Sequence, residues 1–395
     1  MYTRTCLINC TFAAMSGIYI HIPFCRRACV YCDFHFSTSM RYKADFVAAL
    51  VKEIELRKNE LTTKPRTLYF GGGTPSQLDE EELHSIFLAL NEAFPNNEWE
   101  EITFEANPED LTHDYLRILK EVGITRLSIG VQSFNEDLLR YMNRHHSFNE
   151  AMQCVENAYR GGFEHISIDL IYGIPGLSDV EWIKQLNIVN QMPVNHLSCY
   201  ALTIEQGTPL AKSIRLRKTE DVDDYAAARH FEILQHWAAE ESWEHYEVSN
   251  LCRGTNRANH NSAYWSGAEY LGLGPAAHSF SGKTRRINRP NNASYIRALL
   301  NNGEAPHEIE VLSARDRFNE TILTGIRTKN GIDSFLLKEI SSKHFDRMIQ
   351  KANDLGNKFI RLNPMQRMQL KPEFWFQSDG IASELMLLES DWKEA

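Results

Sequence analysis

Between Ile18 and about Tyr200, six short apolar runs alternate with stretches of helical period, and this alternation restricts the fold more than any other feature. The runs are Ile18–Ile22, Thr67–Phe70, Ile102–Glu105, Arg126–Ile129, His165–Leu170 and His196–Tyr200. Between them lie Tyr42–Glu60, Asp79–Ala93, Thr112–Glu121, Ser147–Arg160 and Ser178–Gln191. Strands separated by helices long enough to cross back over a sheet predict parallel pairing. End signals agree with this phasing: Thr112 and Ser178 stand where N-caps belong, and Gly123 and Gly161-Gly162 follow helices. Six such units build either a barrel smaller than the eightfold form or an open sheet, and periodicity does not separate the two. In a barrel, functional groups collect at the C-terminal ends of the strands.

Each run does end in polar or glycine-rich chemistry. The first leads to Cys25, Cys29 and Cys32, spaced C-x3-C-x2-C, and the second to Gly71-Gly72-Gly73-Thr74-Pro75. The third ends at Glu105-Ala106-Asn107-Pro108 and the fourth at Gln132-Ser133-Phe134-Asn135. Asp169 closes the fifth, just before Tyr172-Gly173-Ile174-Pro175-Gly176, and the sixth ends near Tyr200-Ala201. Packing alone does not require such residues at the same end of every strand.

Three thiolates from one loop suit an iron–sulfur cluster, in which a fourth iron stays open to a ligand that is not protein. Zinc can use the same thiolates with His21 or His35 as the fourth donor. Spacing leaves both readings open. Three glycines after a strand let backbone groups approach a ligand closely, or simply make a tight turn; no Lys-Ser/Thr follows as a P-loop requires. Glu105 and Asp169 can accept from ribose hydroxyls or an ammonium group, Gln132 can donate and accept, and Arg144 can pair with a carboxylate. Together they describe a pocket for a ligand with amine, carboxylate and sugar parts.

A chain of 395 residues, 43% hydrophobic and 24% charged, can bury a sizeable core and suggests one large domain with an appendage. Its net charge of −10 argues against a general nucleic-acid or membrane-surface binder. The cationic stretch from Lys283 to Arg289 reads as a solvated loop or as a partner for the carboxylates of an anionic ligand. Cysteines outside the first loop are scattered, which is no secreted disulfide framework, and no apolar run reaches transmembrane length. A cytoplasmic protein is expected. Met1–Ala14 reads as a dispensable extension with Cys6 and Cys10 uninvolved, since Met15 just precedes the first strand. Helical pattern resumes at Thr219–Trp237, followed by an aromatic- and Asn-rich segment to about Pro290. Residues 291–395 read as a small C-terminal domain with helices at Arg315–Gly325 and Phe335–Ile340.

The cysteine loop followed on the next strand by Gly-Gly-Gly-Thr-Pro resembles the radical S-adenosylmethionine (SAM) superfamily, over roughly Ile18 to Pro290. The resemblance implies a partial (β/α)6 barrel and a [4Fe–4S] cluster on Cys25, Cys29 and Cys32, with the amino and carboxylate groups of SAM on the open iron. It further implies that Tyr31 packs near the adenine and that Gly72, Gly73 and Thr74 contact the methionine part. Tyr19, Glu105, Gln132, Arg144, Asp169 and Ala201 match the remaining cofactor-binding positions.

His-Ile-Pro-Phe-Cys, Gly-Val-Gln-Ser-Phe-Asn, Asn-Arg-His-His and Ile-Asp-Leu-Ile-Tyr-Gly-Ile-Pro-Gly are similar to the oxygen-independent coproporphyrinogen oxidase-like subgroup. Its dehydrogenase branch carries a fourth cysteine where this chain has Phe34, and a longer N-terminal arm. The HemW haem-chaperone branch has Phe there, and an H-N-x-x-Y-W motif present here as His260-Asn261-Ser262-Ala263-Tyr264-Trp265. That resemblance implies haem as cargo, an acceptor protein that receives it, and a chain that can dimerise. Imidazole and phenolate both ligate haem iron, which makes His260 and Tyr264 candidate haem contacts; a structural cap is the other reading of the motif. His278, His245 and Cys252 compete with them. The alternative function is SAM-dependent oxidative decarboxylation of coproporphyrinogen III.

Overall fold

The computed structural model describes residues 15–356, 359–362 and 367–394. Met1–Ala14, with the expected extension and Cys6 and Cys10, lie outside the described residues. Six strands, β1 (Ser16–Ile22), β2 (Pro65–Gly72), β3 (Glu101–Ala106), β4 (Arg126–Gln132), β5 (His165–Tyr172) and β6 (His196–Ala201), pair in chain order and all in parallel. The connections carry α1 (Lys43–Arg57), α2 (Glu80–Ala93), α3 (His113–Glu121), α4 (Glu136–Tyr141), α5 (Phe148–Arg160) and α6 (Asp179–Gln191). Thr112 and Ser178 cap as expected, accepting from the backbone N–H groups of Tyr115 and Glu181. The unexpected element is α4, too short to show a period; Asn135 caps it by accepting from Asp137 and Leu138.

Alternation along each strand separates two faces. Ile18, Ile20 and Ile22 are fully buried in one core with Phe46, Leu50 and Ile54 of α1, each contributing about 1.5–3 kcal/mol. The other face carries Tyr19 and His21, Tyr69 and Gly71, Glu105, Ser128 and Asp169, so the polar residues of all the parallel strands share one surface.

Four further strands extend the sheet beyond β1 and two beyond β6. After α7 (Pro209–Arg215) and α8 (Asp224–Glu240) come β7 (Glu244–Glu247) and β8 (Asn250–Cys252); β8 adds antiparallel to β6, and β7 antiparallel to β8. After α9 (Asn259–Trp265), β9 (Tyr270–Leu273) lies parallel to β1, and β10 (His278–Phe280) and β11 (Thr284–Asn288) continue antiparallel. Then α10 (Asn292–Leu300) leads to β12 (His307–Val311). The result is one twelve-stranded sheet with β12 and β7 at its edges, an open arrangement in place of a closed barrel. The cationic stretch is strand β11, not a solvated loop: Arg285 pairs with Glu310 and Glu320, and Arg286 faces Glu60 and Glu304.

A buried network fastens this extension to α1. The Glu53 carboxylate is fully buried and accepts from Arg57 (3.0 Å), the Gly274 N–H (2.7 Å), Asn288 Nδ2 (2.8 Å) and the Tyr295 hydroxyl (2.7 Å). The expected division at 290/291 therefore falls inside the main sheet, between β11 and β12. Past Val311, α11 (Ala314–Ile326) and α12 (Ser334–Asp354) pack with a separate three-stranded sheet of β13 (Ile332–Asp333), β14 (Ile360–Leu362) and β15 (Arg367–Leu370). The helix expected at Phe335–Ile340 breaks at Ser341 and resumes. The chain ends with α13 (Ser378–Leu385) and α14 (Glu389–Glu394).

Candidate functional site

The loop after β1 is held by backbone pairing that any sequence could make, which leaves its side chains free. Cys25 N–H donates to Ser37 O and Ser37 N–H to Pro23 O, closing the loop base. Val30 is held between Met142 O and the Leu210 N–H, and Asn143 Nδ2 donates to Ala28 O. Cys25, Cys29 and Cys32 are all free and half-buried. The Thr74 hydroxyl donates to Cys25 Sγ at 3.3 Å, and Arg144 Nη1 to Cys29 Sγ at 3.5 Å. Burial pushes the Cys25 and Cys32 thiols up to about 11. Thiolates in such surroundings need a positive partner. Among the described residues no three His, Cys, Asp or Glu side chains converge on a single metal ion.

The glycine run sits against this loop. Gly73 N–H donates to Ile22 O at 2.9 Å. A Cβ on Gly73 would stand 2.7 Å from the Ile22 carbonyl and 2.9 Å from the Phe24 backbone nitrogen. Gly72 has φ +103, and a Cβ there would meet the His21 ring at 2.4 Å. The missing side chains serve the approach of β2 to the cysteine loop, which is the turn reading of these glycines.

Beyond them the polar face continues. The Tyr69 hydroxyl donates to Glu105 Oε1 at 2.6 Å, and Ser128 to Asp169 Oδ1 at 3.3 Å. Burial raises Glu105 to about 7, against the Tyr69 hydrogen bond, and Asp169 to about 6, against bonds from Ser198 and Ser128. Arg144 Nη2 donates to Asn107 Oδ1 (2.7 Å) and Gly130 O (2.6 Å), which aims the guanidinium across the face. Gln132 takes a left-handed φ of +65 where the β4–β5 register shifts. Such strain in a non-glycine residue is a mark of functional ends of strands. Tyr19, Tyr31 and Ala201 are half-buried: Tyr19 stacks near Tyr69 with centroids 6.0 Å apart, Tyr31 lies beside Arg144 and Cys29, and Ala201 ends β6 opposite Tyr172.

Cys25, Cys29, Cys32, Tyr19, Tyr31, Gly72, Gly73, Thr74, Glu105, Gln132, Arg144, Asp169 and Ala201 thus gather at the C-terminal end of the parallel strands. His260 and Tyr264 are not brought there. Helix α9 lies across the strand starts, where the His260 ring is bonded on both sides, Nδ1 with Thr67 Oγ1 (2.8 Å) and Nε2 with the Tyr264 hydroxyl (2.9 Å). Glu101 accepts from the His260 N–H at 2.9 Å and pairs with buried Arg126. The His260 ring is buried and stacks on Tyr69 with centroids 5.1 Å apart, and burial lowers its pKa to about 4. His245 is half-buried against Trp375, and Cys252 is buried at the end of β8, opposite the start of β6. Sequence reading passed over Tyr69 and Asn107 as functional supports. Tyr69 lies two residues before Gly71, so period-two counting on β2 places it on the polar face.

A family model described as the Radical SAM superfamily matches residues 19–187. The solved structure of coproporphyrinogen III oxidase (HemN) from Escherichia coli, a radical SAM enzyme, has a TM-score of 0.81 at 20% identity, over 98% of this chain and 94% of that one. The fold is therefore the α/β fold of the radical SAM proteins. A Mycobacterium tuberculosis protein, Heme chaperone HemW, is 34% identical over 321 residues, 80% of this chain and 82% of its own length. Heme chaperone HemW of Bacillus subtilis is 31% identical over 349 residues, 87% and 92% of the two chains. The chain belongs to the HemW family. Among the described residues no helix is long and apolar enough to cross a membrane.

Proposed function

We propose that the chain binds a [4Fe–4S] cluster through Cys25, Cys29 and Cys32, with SAM beside it, and carries haem to an acceptor protein. Gly72, Gly73 and Thr74 flank the methionine part, Tyr31 the adenine, and Tyr19, Glu105, Gln132, Arg144, Asp169 and Ala201 complete the SAM site. A cluster with one open iron supplies an electron to SAM when bound. The residues themselves orient and exclude water: Arg144 and Thr74 stabilise thiolate charge, while burial holds Glu105 and Asp169 above the usual carboxylate range, so a donating ligand would favour their charged forms. Kinship with HemW proteins over four-fifths of the chain carries the haem part of the reading. Phe34, 64% exposed on the cysteine loop, has no atom that ligates or moves a proton, which disfavours the dehydrogenase alternative.

Anaerobic reconstitution followed by haem titration tests this. Expected are about four irons per chain, a SAM-induced change in the reduced-cluster EPR spectrum, stoichiometric haem binding, and no protoporphyrinogen from coproporphyrinogen III. Stoichiometric zinc in anaerobically purified protein, measured coproporphyrinogen turnover, or haem affinity no better than that of an arbitrary protein overturns the reading.

A further inference from the structure

Strand β10 carries His278 and Phe280 on one face, while Ser279 between them turns to the helix side, buried and bonded to Arg57 at 2.8 Å. The face with His278 and Phe280 is the polar, ligand-bearing face of the sheet. Phe280 lies 6.1 Å from Tyr270 between ring centroids, Tyr264 stands edge-on to Tyr270 at 4.5 Å, and the Arg285 guanidinium sits 5.9 Å over Phe280. The turn into β10 abuts the end of β1, since a Cβ on Gly274 would fall 2.5 Å from the His21 carbonyl oxygen. His278 and His21 are close enough for their charges to interact.

The histidines around this mouth differ in what their nitrogens are doing. His21 bonds the Tyr19 hydroxyl and His35 O, and His35 Nε2 bonds Asn292 Oδ1 at 2.7 Å. His260 is engaged on both nitrogens and buried. The His278 ring is exposed and makes no hydrogen bond among the described residues. Burial of part of the ring and the nearby Arg285 lower its pKa, against Glu310, and the lowering favours the neutral imidazole that ligates a metal.

We propose that His278 is the residue that takes the haem iron, with the macrocycle lying against Phe280 on the inner face of β10 and β11. This rests on the haem reading above. An exposed imidazole can bind without first losing a partner, and the flanking aromatic surface suits a flat apolar ligand.

Ferric haem titrated into the full-length chain, read by Soret absorbance and EPR, is the test, with wild type, His278→Ala and His260→Gln compared. Wild type is expected to show an imidazole-ligated spectrum. His278→Ala should lose that signature and weaken binding by at least about tenfold, with added imidazole restoring the signature. Cluster content should stay at the wild-type level, because His278 holds none of the loop contacts. His260→Gln should keep the imidazole signature. An unchanged signature in His278→Ala, or its loss only in His260→Gln, overturns the assignment while leaving haem carriage standing. Failure of wild type to bind haem overturns both.

Discussion

The two ends of the same six parallel strands are built differently. At the strand starts, charged and polar side chains have already found partners: Glu101 with Arg126 and with the backbone of α9, His196 between Ser167 and Tyr246, His260 between Thr67 and Tyr264. At the strand ends, three thiols, two carboxyls and an arginine are held close with fewer partners than they can use. Burying polar groups without full pairing costs stability, and both ends carry some of that cost: among the described residues Arg126 Nη1 and His165 Nδ1 at the strand starts and Arg144 Nε at the strand ends are buried without a partner, so what sets the strand ends apart is the three thiols gathered beside that arginine.

The largest test of this contrast falls on the strand starts. Glu101→Ala strands Arg126 and frees two N–H groups of α9, so a loss of about 3–5 kcal/mol is expected in urea unfolding. Iron content of the surviving folded fraction should match wild type. Lost cluster without lost stability would show that the two ends are not separable.

Gly73→Ala comes next, at the strand ends. Its Cβ has backbone on every near side, so a cost of about 1–3 kcal/mol is expected together with reduced cluster incorporation. Normal iron and sulfide content with a normal unfolding midpoint would mean the loop yields more readily than its contacts indicate.

Acidity sharpens the comparison. Glu105 and Asp169 have folded pKa values, about 7 and about 6, above their ordinary 4.5 and 3.8. At these two groups the folded state therefore binds more protons than the unfolded state inside those windows, and their contribution to ligand-free stability falls as pH rises from about 4 to 7. Glu105→Gln should flatten part of that slope, by on the order of 2 kcal/mol or less, and weaken SAM binding. Parallel slopes for the two proteins would place Glu105 outside the unsettled group.

The smallest effect on stability is expected from Cys32→Ser, within about 1 kcal/mol, since the thiol is half-exposed. The same change should abolish the cluster's absorbance. A fully occupied cluster in this variant removes Cys32 from the ligand set.

Much of this was legible because β1–β6 alternate strongly over enough residues for a period to show, and their ends came within a few residues of expectation. Strands β7–β12 were not, because three to five residues with little alternation give no period to count. The gathering of Cys25, Glu105 and Asp169 followed from one rule about strand ends, whereas Arg144 lies past α4 and that rule does not reach it. No comparable rule said at which end of the sheet the His260 motif would dock, since α9 returns to the strand starts by tertiary packing alone. Tyr69 shows the intermediate case: its face was countable, but its bond to Glu105 and its stacking on His260 needed coordinates.

The Glu53 network has a consequence for how such a chain can be cut, fused or inherited. The carboxylate on a helix of the first unit is neutralised and bonded by groups from residues 57, 274, 288 and 295. A fragment ending near 290 would keep the cysteine loop and every parallel strand, yet carry a core carboxylate without its tyrosine and a helix face without α10. The stretch bearing the recognisable motifs is therefore not a unit that can be cut out: the sheet runs on to Val311, and beyond it Trp375 and Phe376 pack on His245 and Phe231 while Glu320 pairs with Arg285.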